Sequence, residues 1–170
     1  MIIEVERQYL EIKSLKELLK VEKPNISCKI SIVNPPDFQL NKFFYKQVGK
    51  KYRWTDRLEW EDKKWIDYVN NSNVKTYILK EGEELVGYFE VIFHDKLSES
   101  EIAFFGIIED YFGKRYGGYF LFEALKISLL CGSKRVWVHT CSLDHKHALS
   151  NYKARGMKVF KTEKIKINNG

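Results

Sequence analysis

The sequence predicts a single α/β domain built on a mixed sheet, and three observations support this expectation. A chain of 170 residues, 44% of them hydrophobic, can remove roughly 70% of its unfolded surface from water, enough for a core without disulfide or metal staples. From Val74 onwards, strand-like and helix-like patterns follow one another in the order β-β-β-α-β-α-β. With only 10 Gly and 3 Pro, the sequence contains no repeat and no linker between two domains.

The first half of the chain contains fewer regular patterns than the second. Residues Ile2 to Ile12 alternate as in a strand, and Ser14 to Lys23 has the serine cap and leucine spacing of a short helix. Cys28 to Val33 has the pattern of another short strand. In the aromatic-rich segment that follows, Gly49 to Arg57 is expected to be irregular, and Asp62 to Val69 fits a helix that ends at Asn-Asn-Ser-Asn.

The second half begins with three predicted strands. Val74 to Leu79 and Leu85 to Phe93 are rich in β-branched and aromatic residues, and they flank a tight turn that contains Gly82. They are therefore expected to form a hairpin. A third run, Glu101 to Ile108, follows another polar turn and predicts a third strand.

Two helices and two strands complete the predicted order. A long helix is expected to end at Gly132, and its apolar residues fall at helical spacing: Phe120, Leu121, Ala124, Leu125, Leu129 and Leu130. The strand Arg135 to Cys141 leads to a second helix with polar residues at its start and Gly156 as its stop. Lys158 to Ile167 is the last predicted strand.

Composition limits the classes of function. Lys and Arg number 29 against 23 Asp and Glu, a net charge of +6, but the basic residues are scattered among acidic ones. This distribution is more typical of a solvated surface than of a nucleic-acid-binding stripe, and an anionic small ligand fits it equally well. The apolar runs are too short to cross a bilayer, and the acidic start lacks the basic region of a signal peptide. Three widely spaced cysteines, Cys28, Cys131 and Cys141, suit a reducing compartment, so we expect a soluble, cytoplasmic protein.

The glycine-bearing segment FGKRYGG, residues 112–118, lies between the third strand and the long helix. Glycines let backbone approach a phosphate, and the free N–H groups and dipole of a helix start favour an anion. Lys114 and Arg115 would add charge-assisted hydrogen bonds. The alternative is a turn that only packs a strand on a helix. The sequence has neither a P-loop nor a GxGxxG pattern, which disfavours ATPases and dinucleotide-binding proteins.

Two blocks of this sequence resemble the motifs of one family. Glu101 to Ile108, followed by Phe112-Gly-Lys-Arg-Tyr-Gly117 and Phe120-Leu121, resembles motif A of the GNAT superfamily of N-acetyltransferases. The block VWVHTCSLDHKHALSNYKARGMKVF, residues 136–160, resembles the second motif of that superfamily, with Ala148 and Tyr152 in its helix. The resemblance covers about residues 74 to 163.

The sequence departs from motif A at two positions. Phe112 stands where Arg or Gln is usual, and Arg115 replaces the first glycine, whereas Gly117 is kept. The resemblance implies one GNAT domain over residues 1–170, with a mixed, mainly antiparallel sheet splayed at its centre and helices on both faces. Residues 1–73 would form the variable acceptor-side half, and residues 74–167 the core that binds acetyl-coenzyme A.

The resemblance also implies the position of the cosubstrate. Acetyl-coenzyme A would lie in a V-shaped splay between the strand Glu101 to Ile108 and the strand Arg135 to Cys141. Its pantetheine arm would pair like an added strand with backbone at Gly106, Ile107 and Ile108. Its pyrophosphate would bind the segment formed by Phe112, Gly113, Lys114, Arg115, Tyr116, Gly117 and Gly118. In such enzymes the amine attacks the thioester directly, and no metal is expected.

Two proton transfers accompany this reaction, and the resemblance assigns each to one residue. Glu101 matches by position the general base of histone-acetylating members; the alternative is an exposed carboxylate at a strand end. Tyr152 matches the tyrosine that acts as acid toward the departing thiolate; the alternative is a tyrosine packed between helix and sheet. A primary amine with a pKa of about 10.4 needs such a base at pH 7.

Acceptor specificity is expected from the first half and from the walls of the splay. The candidate substrate residues are Tyr45, Trp54, Arg57, Glu90, His139 and Thr140. Aromatic faces, to which Trp60 would contribute, suit a cationic amine, although most of these rings fit the core equally well. Glu90 is either an acidic wall or an outward-facing strand carboxylate.

The sequence also contains a dense group of possible metal ligands: His139, Cys141, Asp144, His145 and His147. Their spacing matches no zinc template, and a nucleophilic cysteine-histidine pair is a further alternative. Asp144 is instead expected to cap the second helix.

The sequence thus favours acetyl transfer from acetyl-coenzyme A to a primary amine, with a small-molecule acceptor expected first. A protein lysine or N-terminal amine is the alternative, and a non-catalytic module that binds coenzyme A or nucleic acid is the opposing class. We expect neither a membrane nor a nucleic-acid partner, and a monomer or homodimer.

Overall fold

Seven strands form one sheet in the computed structural model, which describes residues 1–168. The strands are β1 (Ile2–Ile12), β2 (Cys28–Ile32), β3 (Val74–Glu81), β4 (Glu84–His94), β5 (Glu99–Ile107), β6 (Arg135–Cys141) and β7 (Lys158–Asn168). The helices are α1 (Phe38–Gly49), α2 (Asp62–Asn70), α3 (Tyr116–Leu130) and α4 (Ala148–Ala154). The strand order is β2-β3-β4-β5-β6-β1-β7, so the first strand lies between the last two. None of the helices in residues 1–168 is long and apolar enough to cross a membrane.

The sheet is splayed where β5 meets β6. These strands are parallel and pair at three positions, Glu99 with Arg135, Ser100 with Val136 and Glu101 with Trp137. Every other strand pair described is antiparallel. Beyond Glu101 the two strands diverge. The mixed, mainly antiparallel and splayed sheet is therefore confirmed.

A β-bulge lies in β5 two residues after Glu101, the last residue of β5 that pairs with β6. Glu90 of β4 pairs with Phe104 and Val91 with Ile102, so Ala103 has no partner opposite it. A bulge reverses the alternation of side chains and bends the strand. Accordingly, Ile102 packs in the core against α3, whereas Phe104 packs with the cluster under α1.

Helices cover both faces of the sheet, as expected. On one face, Phe120 and Leu125 of α3 are fully buried against Leu10 and Phe89. On the other face, α1 and the strands beneath it form a second cluster that contains Phe44, Val48, Ile78 and Tyr88. Burial of one such side chain contributes about 1.5–3 kcal/mol, so both layers stabilise the sheet.

The predicted helix over Ser14 to Lys23 is wrong, since this segment holds a turn followed by irregular backbone. Leu15 and Leu19 remain about half exposed, so no apolar face is available to stabilise a helix there. Instead the Leu19 N–H donates to the Arg155 carbonyl at 3.0 Å, which ties the segment to the end of α4.

Helix α1 was not predicted, although its start carries a recognisable signal. Asp37 accepts a hydrogen bond from the Gln39 N–H at 3.0 Å and caps the helix. The dense aromatic residues that follow obscured the helical spacing. The remaining predicted strands and helices are confirmed, with ends shifted by at most a few residues.

Candidate active site

The diverging strands open a cavity of about 1120 Å³. One wall is the edge of β5 from Glu101 to Ile107, and the facing wall includes Val138 and His139 of β6. The start of α3, residues of α4 and the loop from Tyr52 to Arg57 complete its lining. A cavity therefore lies between the two strands where the sequence predicts a binding site, and what it binds stays a prediction.

The start of α3 is suited to bind an anion. Its first turn carries no acidic residue, and the N–H groups of a first turn have no acceptor within the helix. Arg115 is the N-cap residue, with a φ of 67°. This left-handed conformation favours glycine and costs an L-residue roughly 1–2 kcal/mol. Arg115 therefore stands, where motif A has a glycine, in a conformation that glycine adopts readily.

Most of the predicted cofactor-binding residues line the cavity, and two do not. Those that line it are Gly106, Ile107, Phe112, Gly113, Arg115, Tyr116, Gly117 and Gly118. Ile108 is a correction, because its N–H donates to the Val86 carbonyl at 2.8 Å and is committed to the neighbouring strand. Lys114 is also a correction, since its ammonium lies over the Tyr111 ring at 5.2 Å, outside the cavity.

Two residues of α4 that sequence reasoning missed support the α3 start. The Asn151 side-chain amide donates to the Gly117 carbonyl at 3.2 Å. A Cβ atom on Gly118 would lie 2.5 Å from a guanidinium nitrogen of Arg155, so the glycine permits this close approach. Burial lowers the pKa of Arg155. The i, i+4 spacing of Asn151 and Arg155 on a helix was the available signal.

Glu101 lies at the apex of the splay. It is the last residue of β5 that pairs with β6, and its side chain lines the cavity while only 18% exposed. The His94 Nε2 and Glu101 Oε1 atoms lie 3.0 Å apart, and the His94 ring stacks on Trp137 at 6.0 Å. The carboxylate is therefore held in place and faces the space where the strands separate.

Tyr152 lies on α4 and lines the same cavity. Burial, reinforced by the negative charge of Asp144, raises the pKa of Tyr152 well above its ordinary value. No hydrogen bond joins its hydroxyl to another group in residues 1–168. The phenol is thus protonated and available as a donor.

The predicted aromatic pocket for a cationic amine is already filled. Tyr45, Trp54 and Arg57 line the cavity, but the Arg57 guanidinium itself lies 4.2 Å from the centre of the Phe104 ring. It also lies over the rings of Tyr45, Trp60, Trp65 and Tyr68. The cation that these rings surround is therefore a residue of the chain.

Glu90 is a correction, because it forms no wall of the cavity. It is 0% exposed, and Arg57 donates to its Oε1 at 2.9 Å. Tyr68 donates to the same oxygen at 2.6 Å, and Asn41 to the other oxygen at 2.8 Å. This network stabilises the packing of α1 and α2 on β4, and sequence patterns gave no sign of it.

The β6–α4 connection corrects two further expectations. His139 lines the cavity, but Thr140 is buried away from it and donates to the Asp144 carboxylate. Asp144 also accepts from the Cys141 N–H at 3.1 Å. It therefore stabilises the turn after β6 and does not cap α4, whose N-cap residue is His147. Within residues 1–168, no group of three or more His, Cys, Asp or Glu side chains is arranged to hold a metal ion.

Comparison with solved structures shows the same fold in other proteins, two of them longer than this chain. A functionally unknown conserved protein from Staphylococcus epidermidis matches 97% of this chain at 14% identity and a TM-score of 0.64. A GCN5-related N-acetyltransferase from Kribbella flavida also matches 97% at 14% identity, with a TM-score of 0.66. This chain spans only 61% and 58% of their respective lengths. An aminoglycoside acetyltransferase from an uncultured soil metagenomic sample matches 78% at 12% identity, with 90% of its own length covered and a TM-score of 0.64.

The sequence itself identifies the family. No curated protein matches the chain significantly, but the sequence model of the acetyltransferase (GNAT) family matches residues 38–157. That range contains the bulged β5, the start of α3 and the helix that carries Tyr152. The splayed sheet and the match over most of the chain lead to one conclusion: the chain belongs to the acetyltransferase (GNAT) family.

Proposed function

We propose that this protein transfers the acetyl group of acetyl-coenzyme A to a primary amine, with a small molecule as the acceptor. The observation that carries the proposal is the three-residue pairing of β5 with β6. It opens the cavity and directs Glu101 into it at the apex. The proposal treats residues 1–170 as one domain, with residues 1–73 on the acceptor side and residues 74–167 as the cosubstrate-binding core.

The chain offers two sets of groups to acetyl-coenzyme A. From Ile102 to Ile107, the edge of β5 that faces the splay has no pairing with β6. Its N–H and C=O groups are suited to pair with the amides of an extended pantetheine arm. The first turn of α3 and the Arg115 side chain supply hydrogen bonds and positive potential for the pyrophosphate.

The proposed steps use Glu101 and Tyr152 in sequence. A primary amine is largely protonated at pH 7, and its deprotonation costs about 4–5 kcal/mol. Glu101 accepts that proton, directly or through water, and frees the nitrogen lone pair to attack the thioester carbonyl. As the C–N bond forms and the C–S bond breaks, Tyr152 donates its proton to the departing sulfur. The attacking nitrogen loses its second proton to water, Glu101 returns the first proton to solvent, and Tyr152 takes up a proton from solvent. The products are a neutral amide, coenzyme A and one net proton.

A contact between two lining segments supports a small amine over a protein segment. The Tyr52 ring, in the loop after α1, lies 5.9 Å from the His145 ring of the β6–α4 connection, and the Phe112 ring lies 5.0 Å from the same His145 ring. All three residues line the cavity, so the loop and the connection meet across part of it. A compact amine fits such a space more readily than an extended peptide.

The first experiment is calorimetric titration with acetyl-coenzyme A, with coenzyme A, ATP and NAD in parallel at the same salt concentration. Selective micromolar binding of the coenzyme A forms is expected, followed by thiol release with a panel of amines. Glu101→Gln should lower turnover at least a hundredfold at unchanged acetyl-coenzyme A affinity. Asp67→Asn, which changes an exposed carboxylate far from the cavity, is the matched control. Full activity of the Glu101→Gln variant, or no binding of acetyl-coenzyme A, would overturn the proposal.

A further inference from the structure

Arg7 is an incompletely paired guanidinium in the cavity wall. It lies on β1, opposite Cys141 of β6 and Glu163 of β7. Its side chain lines the cavity. Its Nε atom is buried and has no hydrogen-bond partner in residues 1–168. The side chain as a whole is 31% exposed, and none of the hydrogen bonds within residues 1–168 uses its guanidinium, so its Nη donors are open to a ligand in the cavity.

The ion pair of Arg7 does not compensate its charge fully. The nearest carboxylate contact runs from Arg7 Nη1 to Glu163 Oε1 and measures 3.8 Å, too long for a hydrogen bond. Glu163 instead accepts a hydrogen bond from the Tyr9 hydroxyl at 2.7 Å and lies 3.6 Å from the Lys161 ammonium. The carboxylate is thus shared among three partners, and Arg7 has donors left for another anion.

The surroundings of His139 show where the Arg7 charge acts. Loss of solvent around the imidazole lowers the pKa of His139, and the positive charge of Arg7 lowers it further. The negative charge of Glu101 acts in the opposite direction and raises the pKa. Both charges therefore act on a single imidazole that lines the cavity. Arg7 and Glu101 also belong to the same face of the sheet, since Arg7, His139 and Glu101 alternate with core residues on their strands.

Arg57, another arginine that lines the cavity, is already satisfied. The Arg57 guanidinium is enclosed by aromatic rings and bonded to Glu90. It is therefore committed to the core, whereas Arg7 is not. A planar guanidinium with free donors binds carboxylate or phosphate oxygens through paired hydrogen bonds.

We propose that the acceptor is a primary amine that also carries an anionic group, and that Arg7 binds this group while the amine lies near Glu101. This inference rests on the proposed acetyl transfer and names the class of its acceptor. On β6, His139 lies between Trp137, the partner of Glu101, and Cys141, the partner of Arg7, so one small molecule along this stretch can carry both the amine and the anion. A carboxylate and a phosphate share the required chemistry.

The test compares each acidic amine with its neutral counterpart. The acceptors are β-alanine, 4-aminobutyrate and 6-aminohexanoate, each against its own amide, and O-phosphoethanolamine against ethanolamine. The readout is the ratio of kcat/KM for the acid to kcat/KM for the neutral partner, measured by thiol release. In the unaltered protein, at least one pair is expected to give a ratio above ten, and the pair that does so distinguishes carboxylate from phosphate.

Variants of Arg7 test whether this residue causes the preference for the acidic amine over its neutral partner. Arg7→Gln should lower the ratio at least tenfold, and Arg7→Lys should restore part of it. Lys164→Gln removes one positive charge from the neighbouring strand outside the cavity, and its ratio should be unchanged. Thermal melting of each variant confirms that the protein is folded.

The outcomes separate this inference from the proposed function. Ratios near one for every pair, or an unchanged ratio in the Arg7→Gln variant, overturn the role of Arg7 even when amines are acetylated. Absence of thiol release with all acceptors, together with no binding of acetyl-coenzyme A, overturns the proposed function itself.

Discussion

The buried Arg57–Glu90 pair should be a strongly coupled stabilising unit. Arg57 is 7% exposed and Glu90 is 0% exposed. Removal of either partner leaves the other charge buried and unpaired, at a cost of about 3–5 kcal/mol. For a domain of this size, each kcal/mol lowers the melting temperature by roughly 2–4 °C. The single variants Arg57→Met and Glu90→Leu are therefore each expected to melt roughly 6–20 °C below the unaltered protein.

The double variant distinguishes coupling from simple loss of packing. Replacement of both charges by apolar groups of similar volume is often neutral or stabilising. Arg57→Met combined with Glu90→Leu should therefore cost much less than the sum of the single variants. Urea denaturation of all four proteins measures the coupling free energy. If the double variant loses as much stability as the two single variants together, the reasoning about this pair is refuted.

Three further predictions concern the cavity. Tyr152→Phe should lower kcat with little change in acetyl-coenzyme A affinity, as measured by turnover and calorimetry; unchanged kcat would remove its role as acid. Arg115→Gly should relieve the positive φ of 67° and raise stability by about 1 kcal/mol in urea denaturation, and a loss of stability would contradict the strain argument. Because the pKa of His139 is lowered from 6.5 in the folded state, its contribution to stability is present above pH 6.5 and is lost as the pH falls through its folded-state pKa. Urea denaturation between pH 7 and 5 should show a smaller acid loss in His139→Gln, and identical slopes would contradict that sign.

The sequence predicted the core of the fold because its signals there are local. Strands such as Arg135–Cys141 carry β-rich residues between clear turns, and α3 shows apolar residues at helical spacing. The predicted helix at Ser14 to Lys23 failed because leucine spacing alone does not supply a surface to pack against. The bond from Leu19 to Arg155 that holds this segment joins residues 136 positions apart, a distance that no local pattern reports.

In the candidate site too, local patterns indicated some residues, whereas the roles of others depend on long-range contacts. The loop before α3 and Glu101 were assigned by motif position, since a family signature is a local pattern, and their roles stay predictions. The roles of Arg57 and Glu90 depend on contacts between a loop and a distant strand, so sequence reasoning assigned both to substrate. Arg7 went unnoticed because its position in the cavity depends on the pairing of β1 with β6.

The insertion of β1 between β6 and β7 also has a consequence for folding. Strand β1 is synthesised before its partners, residues 136–141 and 158–168, so it pairs with them only after nearly the whole described chain has been made. Contacts between such distant segments slow folding, because a large loop must close before they form. Until then, β1 exposes the buried residues Leu10 and Ile12. Completion of the sheet and placement of Arg7 in the cavity wall therefore occur in the same late step.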